Sequence, residues 1–139
     1  MNKLAEKILK EVHSKSSQLF GSLLHDVYLY GSYARGDYET GSDIDILLTV
    51  DLDYLEIEKY TENVAHISSE LSLENDIYVS IAIKPLNLFV KYSNLLPYYK
   101  NVLNEGIRYA ATWVENAELF INKVKEFLDT KWSLSQVQE

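Results

Sequence analysis

Cysteine is absent from the 139-residue chain, which excludes a disulfide framework, a thiolate metal centre and thiol redox chemistry. Long apolar runs are absent too. The N-terminal Met-Asn-Lys-Leu-Ala-Glu-Lys becomes charged again within a few residues, and no stretch has the length of a membrane span or a signal-peptide core. The expectation is a soluble, cytoplasmic protein with no membrane association. Basic residues are scarce: 13 Lys and Arg stand against 21 Asp and Glu, for a net charge of −8, and they form no dense run. Binding long nucleic acid needs clustered cations, so that class is disfavoured. A nucleotide held through metal ions is not, because the cation cancels the repulsion between carboxylates and phosphates. Internal repeats, low-complexity tracts and linkers are also missing. Residues 1–139 therefore read as a single domain, whose 47% hydrophobic content is enough for a core. The eleven tyrosines are scattered and read as half-buried strand and helix positions.

What is present concentrates between Leu29 and Leu48. An apolar strand breaks at Gly31-Ser32, crosses a polar loop containing Arg35, Gly36 and Gly41, and re-enters an apolar run that carries Asp43 and Asp45. In a strand, these two aspartates leave the same face roughly 7 Å apart at the backbone. Ile44, Ile46 and Leu48 then point the other way, into a core. Paired carboxylates beside a glycine turn suit magnesium, which takes a few carboxylate oxygens and leaves its other positions to water and phosphates. A plain turn with aspartates exposed for solubility does not explain carboxylates on one face of an apolar strand, since buried unpaired charges cost several kcal/mol. Asp37 and Glu39 read as solvated loop acids, and His13 and His66 as surface or packing residues without a second ligand nearby.

Along the chain, residues 2–15 form a first helix with Leu4, Ala5, Ile8 and Val12 on one face. Val27–Tyr30 and Ile44–Val50 are strands, neighbours because the loop between them is short, and the brief first strand is central. Residues 53–73 form a second helix with Ile57, Tyr60, Val64, Ile67 and Leu71 as its apolar stripe. Ile77–Ile83 alternates as a strand and Pro85 ends it. Leu86–Tyr92 is ambiguous, Leu95–Glu105 is a helix opened by Pro97 and closed by Gly106, and Ile107–Ala110 is a short edge strand. A last helix spans about Thr112–Thr130 with an aromatic stripe, and Ser133–Glu139 is a frayed tail. This order implies an α/β (α+β) protein, with a small mixed β-sheet and helices packed over it.

Gly31-Ser32, ten residues, then Asp43-Ile44-Asp45 resembles the signature of the polymerase-beta-like nucleotidyltransferase superfamily. Gly-Ser-Tyr-Ala-Arg-Gly-Asp and Ser-Asp-Ile-Asp-Ile-Leu resemble its minimal, single-domain members almost residue for residue. Leu96-Pro97-Tyr98-Tyr99-Lys100-Asn101 and Asn104-Glu105-Gly106-Ile107 resemble the C-terminal segment of the same minimal proteins, so the resemblance covers most of 27–110. It implies the nucleotidyltransferase fold over that core. It further implies that Gly31 and Ser32 contact nucleotide phosphates, with Arg35 in a basic loop position beside them. Asp43 and Asp45 match metal-binding carboxylates holding two Mg2+ ions, on the triphosphate and on the attacking hydroxyl. The implied reaction transfers a nucleoside monophosphate, AMP from ATP, to a hydroxyl and releases pyrophosphate. Such minimal proteins resemble the antitoxin half of toxin–antitoxin pairs whose other half is a small helical HEPN protein, silenced by AMP added to a tyrosine or by binding.

One position departs from the family pattern. Where active members carry a third carboxylate, the strand Ile77–Ile83 offers Ser80, a poor ligand and a poor base. Asp76 is the alternative third carboxylate. It lies four residues earlier on the same face, about 13 Å along an extended strand, and needs a bulge or another register to reach the metals. Three readings follow: a protein adenylyltransferase, an antitoxin that binds nucleotide and neutralises its partner without catalysis, and a small-molecule, aminoglycoside-type nucleotidyltransferase. The third lacks the substrate domain those enzymes usually carry. The acceptor and the preferred nucleotide are not specified by the sequence, and a homo-oligomer is compatible with it.

Overall fold

The computed structural model describes residues 1–110 and 120–130. The chain divides into two units, Met1–Tyr109 and Ala110–Glu139. In the second unit residues 120–130 are helical, and the Thr130 hydroxyl donates to the Glu126 carbonyl at 2.9 Å. The rest of the expected 112–130 helix and the expected tail lie outside the described residues.

The first unit opens with helix α1, Lys3–Phe20. Asn2 caps it, its side-chain oxygen accepting from the amides of Leu4 (2.8 Å) and Ala5 (3.1 Å). The helix runs past the serines that were expected to end it. Its buried stripe continues from Ala5, Ile8, Leu9 and Val12 through Ser16 to Phe20, so the serine sits on the packed face and the helix stops only at Gly21. Strand β1, Leu24–Tyr30, then leads into a four-residue helix α2, Ser32–Arg35, and strand β2, Ile44–Val50.

The expected helix over 53–73 is two helices: α3, Tyr54–Glu58, and α4, Thr61–Asn75. A capping box between Asp53 and Glu56 starts α3. The break falls at Lys59-Tyr60, and the Tyr60 ring packs on Phe20 with centroids 4.7 Å apart, in the same core as the rest of the stripe. Strand β3, Val79–Pro85, begins later than the alternation suggested. Asp76 closes α4 in the left-handed region (φ 51°), and the Ile77 amide still bonds the Ser72 carbonyl, so Ile77 belongs to the turn. Pro85 is accommodated at the end of an edge strand, where no ladder donor is required. Helices α5, Leu86–Tyr92, and α6, Pro97–Glu105, follow, and β4, Ile107–Arg108, ends the unit.

The sheet has the order β3-β2-β1-β4. β2 runs antiparallel to β1 and parallel to β3, and β4 is antiparallel to β1. This is the small mixed sheet that the element order implies. One face buries Val27, Leu29, Ile44, Ile46, Leu48, Val50 and Val79 against α1 and α4. The other packs Tyr28 and Leu47 under Phe89, Tyr99 and Val102. At about 25 cal/mol per Å² of apolar area removed from water, the first and larger layer dominates stability. Tyr30, the last residue of β1, packs at the edge of the second layer.

Candidate functional site

The site forms where β1 ends and β2 begins. Tyr30 on β1 stands directly opposite Asp45 on β2, and Asp45 is level with Ser80 on β3. Side chains at paired positions share a face, so Tyr30, Asp45 and Ser80 form one row across three strands. Asp43 precedes the first residue of β2 and is exposed, whereas Asp45 is half-buried. The Asp45 carboxyl is held above its ordinary range, first by burial and then by the Asp43 charge, with Arg35 pulling in the opposite direction. A half-buried carboxylate whose charge is disfavoured beside a second carboxylate, at the mouth of a sheet, is a donor set that a cation relieves.

The backbone turn that admits this pair depends on Gly31. Its φ of 76° belongs to the region where side chains are strained, and a Cβ there would lie 2.5 Å from the Asp45 carboxylate oxygen Oδ2. The Gly31 carbonyl then accepts from the amides of Ala34 and Arg35, both at 3.1 Å, and the chain leaves through Gly36 at φ 86°. Ser32 opens α2. Arg35 does not stand free: its Nε is 3.1 Å from Asp37 and its guanidinium 3.3 Å from Glu105, at the end of α6. Asp37 thus has a partner that its loop position did not suggest.

Gly31, Ser32, Arg35, Asp43 and Asp45 therefore lie around one turn. Asp76 does not join them. It is exposed at the C-terminal cap of α4, before β3 begins, and no group of three His, Cys, Asp or Glu placed to hold a metal occurs among the described residues. The bulge or register change that Asp76 needed is absent, because β3 pairs with β2 continuously from Val79 to Pro85. Ser80 takes the place level with Asp45. Two carboxylates fit magnesium delivered with a nucleotide, since that ion uses one or two protein carboxylates and fills its octahedron with water and phosphate oxygens. They do not make an all-protein metal cage.

Two residues of the site escaped sequence reasoning. The Tyr98 hydroxyl donates to the Tyr30 hydroxyl at 3.0 Å, with the rings edge to face at 5.5 Å. Both phenols are pushed up, by burial first and with the Asp45 charge contributing, while the Tyr98 hydrogen bond works against the shift at Tyr30. Continuing the β1 alternation to its last residue would have identified Tyr30; nothing local marks Tyr98. His13 packs on the Tyr109 ring at 4.2 Å and the His66 side chain is 81% exposed, so both remain outside the site.

A provisionally named protein adenylyltransferase of Methanocaldococcus jannaschii is 33% identical over 101 residues, covering 73% of this chain and 93% of its own. Among solved structures, a toxin–antitoxin complex with AMP-PNP aligns at 17% identity and a TM-score of 0.48, over 96% of this chain and 94% of that one. A complex of tri-AMPylated Shewanella oneidensis HEPN toxin with MNT antitoxin aligns at 16% identity and a TM-score of 0.43, over 96% and 92%. The family of nucleotidyltransferase domains matches residues 2–109, and the chain belongs to that family.

Proposed function

We propose that the protein binds a magnesium–nucleoside triphosphate, ATP foremost, and transfers AMP to a hydroxyl of a partner protein, a tyrosine of a HEPN-type helical toxin, thereby acting as an antitoxin. The observation that carries the reading is the carboxylate pair Asp43 and Asp45 beside the Gly31 turn, in a chain of the nucleotidyltransferase-domain family. The named activity of the Methanocaldococcus relative supports a protein as acceptor, and the resemblance of the Leu96–Ile107 segment to minimal antitoxins supports the HEPN partner.

In the step itself an acceptor hydroxyl oxygen bonds to the α-phosphorus and gives up its proton to solvent, the bond from that phosphorus to the bridging oxygen breaks, and pyrophosphate leaves with the electron pair. Asp43 and Asp45 would hold Mg2+, which would supply charge stabilisation to the oxygens gaining and losing their bonds to phosphorus. The turn at Gly31 and Ser32 lets backbone amides and a hydroxyl approach the phosphates. Arg35 exchanges its carboxylate partners for a phosphate, a trade of similar charge-assisted hydrogen bonds. Incubation with α-labelled ATP, Mg2+ and a co-encoded HEPN protein is expected to label the HEPN tyrosine. Absence of label, with nucleotide binding intact, would rule out the transferase reading.

A second reading rests on Ser80, which stands level with Asp45 where a third carboxylate would serve. On that reading the chain neutralises its partner by binding, with nucleotide held but not turned over. Ser80→Asp discriminates between the two. The new carboxylate enters the same row, and Mg-dependent transfer is expected to rise by roughly tenfold or more, as a further metal ligand contributes more than one kcal/mol. Neutralisation that survives the double change Asp43→Asn with Asp45→Asn would favour the binding reading.

A further inference from the structure

Among the described residues β3 is an edge strand, and its backbone groups alternate between β2 and the side facing away from it. The Ile44 amide bonds the Tyr78 carbonyl on the inner side. Val79 turns outward, where its amide donates to the Ser72 hydroxyl at 2.9 Å and its carbonyl accepts from the Ser68 hydroxyl. By the same alternation Ile81 and Ile83 present their N–H and C=O groups outward, beyond the reach of those two serines. They line a groove of about 690 Å³ between β3 and α4 whose opposite wall carries the hydroxyls of Thr61, Ser68, Ser69 and Ser72. Among the described residues no charged side chain lines the groove, although the chain carries −8 overall. Two apolar residues on its rim are left in water, Leu73 (84% exposed) and Tyr78 (58%). Ser80 belongs to the groove and also to the Tyr30–Asp45–Ser80 row.

We propose that this groove receives an extended, uncharged segment of the acceptor protein, which pairs as a fifth strand on β3 and carries the acceptor tyrosine on the Ser80 row. The inference rests on the reading of the chain as a protein nucleotidyltransferase. Three observations choose this occupant. Outward backbone groups at Ile81 and Ile83 need strand partners, and a paired segment supplies them in register. An uncharged, hydroxyl-rich wall favours a neutral segment over a phosphate backbone or an acidic or basic peptide. The groove also runs directly into the carboxylate row. A fifth strand lies two strand spacings from β2, about 10 Å, and the small Ser80 side chain leaves that path open for a tyrosine to reach the nucleotide beside Asp45.

The test uses the full chain without nucleotide or metal and, as probe, the blocked peptide acetyl-Thr-Val-Thr-Tyr-Thr-Val-Thr-amide. At saturating peptide the amides of Ile81 and Ile83 should exchange hydrogen about tenfold more slowly. Ser69→Arg and Leu73→Asp, both on α4 away from the carboxylates, should abolish that protection while ATP affinity stays unchanged. Unaltered exchange at Ile81 and Ile83 overturns the inference. So does protection already present in the free chain: lost on dilution, it assigns the edge to a second copy, and independent of concentration, to another segment of this chain. Adding labelled MgATP separates the two claims. Protection without label on the peptide sinks the transferase reading and keeps the docking edge, whereas label without protection does the reverse.

Discussion

Replacing Asp45 by asparagine is expected to make the protein more stable and to abolish its chemistry. Burial and the Asp43 charge hold the Asp45 carboxyl above its ordinary value, so the folded chain binds that proton more tightly than the unfolded chain does. The stability linked to this group is therefore fully present below the unfolded carboxylate pKa of about 4 and is lost as pH rises through the raised folded value. At neutral pH the native protein carries the cost, and asparagine removes it. The carboxyl is partly exposed, so after solvent screening the gain is on the order of 1 kcal/mol, a few degrees in Tm. It should vanish near pH 4. On the proposed function, in which Asp45 would be a metal ligand, transfer of labelled AMP should fall by roughly 10²–10³-fold, the loss of several kcal/mol of transition-state stabilisation. Thermal melts at pH 7 and pH 4, beside the labelling assay, check all three statements. A variant destabilised at pH 7 would show that Asp45 is a structural anchor instead. Mg2+ with ATP should raise the melting temperature of the native protein and leave that of the variant nearly unmoved.

The second large effect is expected at Gly31. An alanine there meets the Asp45 carboxylate oxygen at 2.5 Å and must also hold φ at 76°. The backbone strain alone costs about 1–3 kcal/mol, and relief of the clash moves either the turn or the carboxylate. Nucleotide affinity should drop by about tenfold or more, since each 1.4 kcal/mol of lost contact is a factor of ten. Gly36→Ala separates the two causes. Gly36 has φ 86° but nothing within 4 Å of its added Cβ, so that variant should lose comparable stability and keep nucleotide binding. Denaturant melts combined with ATP titration read both quantities. Equal losses of affinity in the two variants would mean that the turn acts through rigidity and not through its approach to Asp45.

Much of the site was legible because it is local. Gly31, Ser32, Asp43 and Asp45 sit within one strand–turn–strand unit whose periodicity switches visibly, and β2 begins and ends where Ile44 and Val50 suggest. Elements whose limits depend on partners were harder. Helix α1 continues through Ser14, Ser16 and Ser17 because Phe20 still has a core to meet. The 53–73 stripe is interrupted between Glu58 and Thr61 while Tyr60 packs on the distant Phe20 ring, a contact that no spacing rule encodes. Tyr98 and Glu105 reach Tyr30 and Arg35 from α6, across a separation in sequence that hides them. For Asp76 the alternation was carried too far back, since the left-handed cap at φ 51° turns the chain before β3 starts.

The parallel pairing of β2 with β3 has one more consequence, in time instead of space. β1 and β2 meet through a short local connection, whereas β3 reaches its place only after the α3–α4 crossover has been laid down. Contacts separated further along a chain close later and more slowly. The glycine turn and the two aspartates can therefore exist before the Ser80 row and its groove do. A folding chain would gain the half proposed to hold phosphate ahead of the half proposed to receive an acceptor.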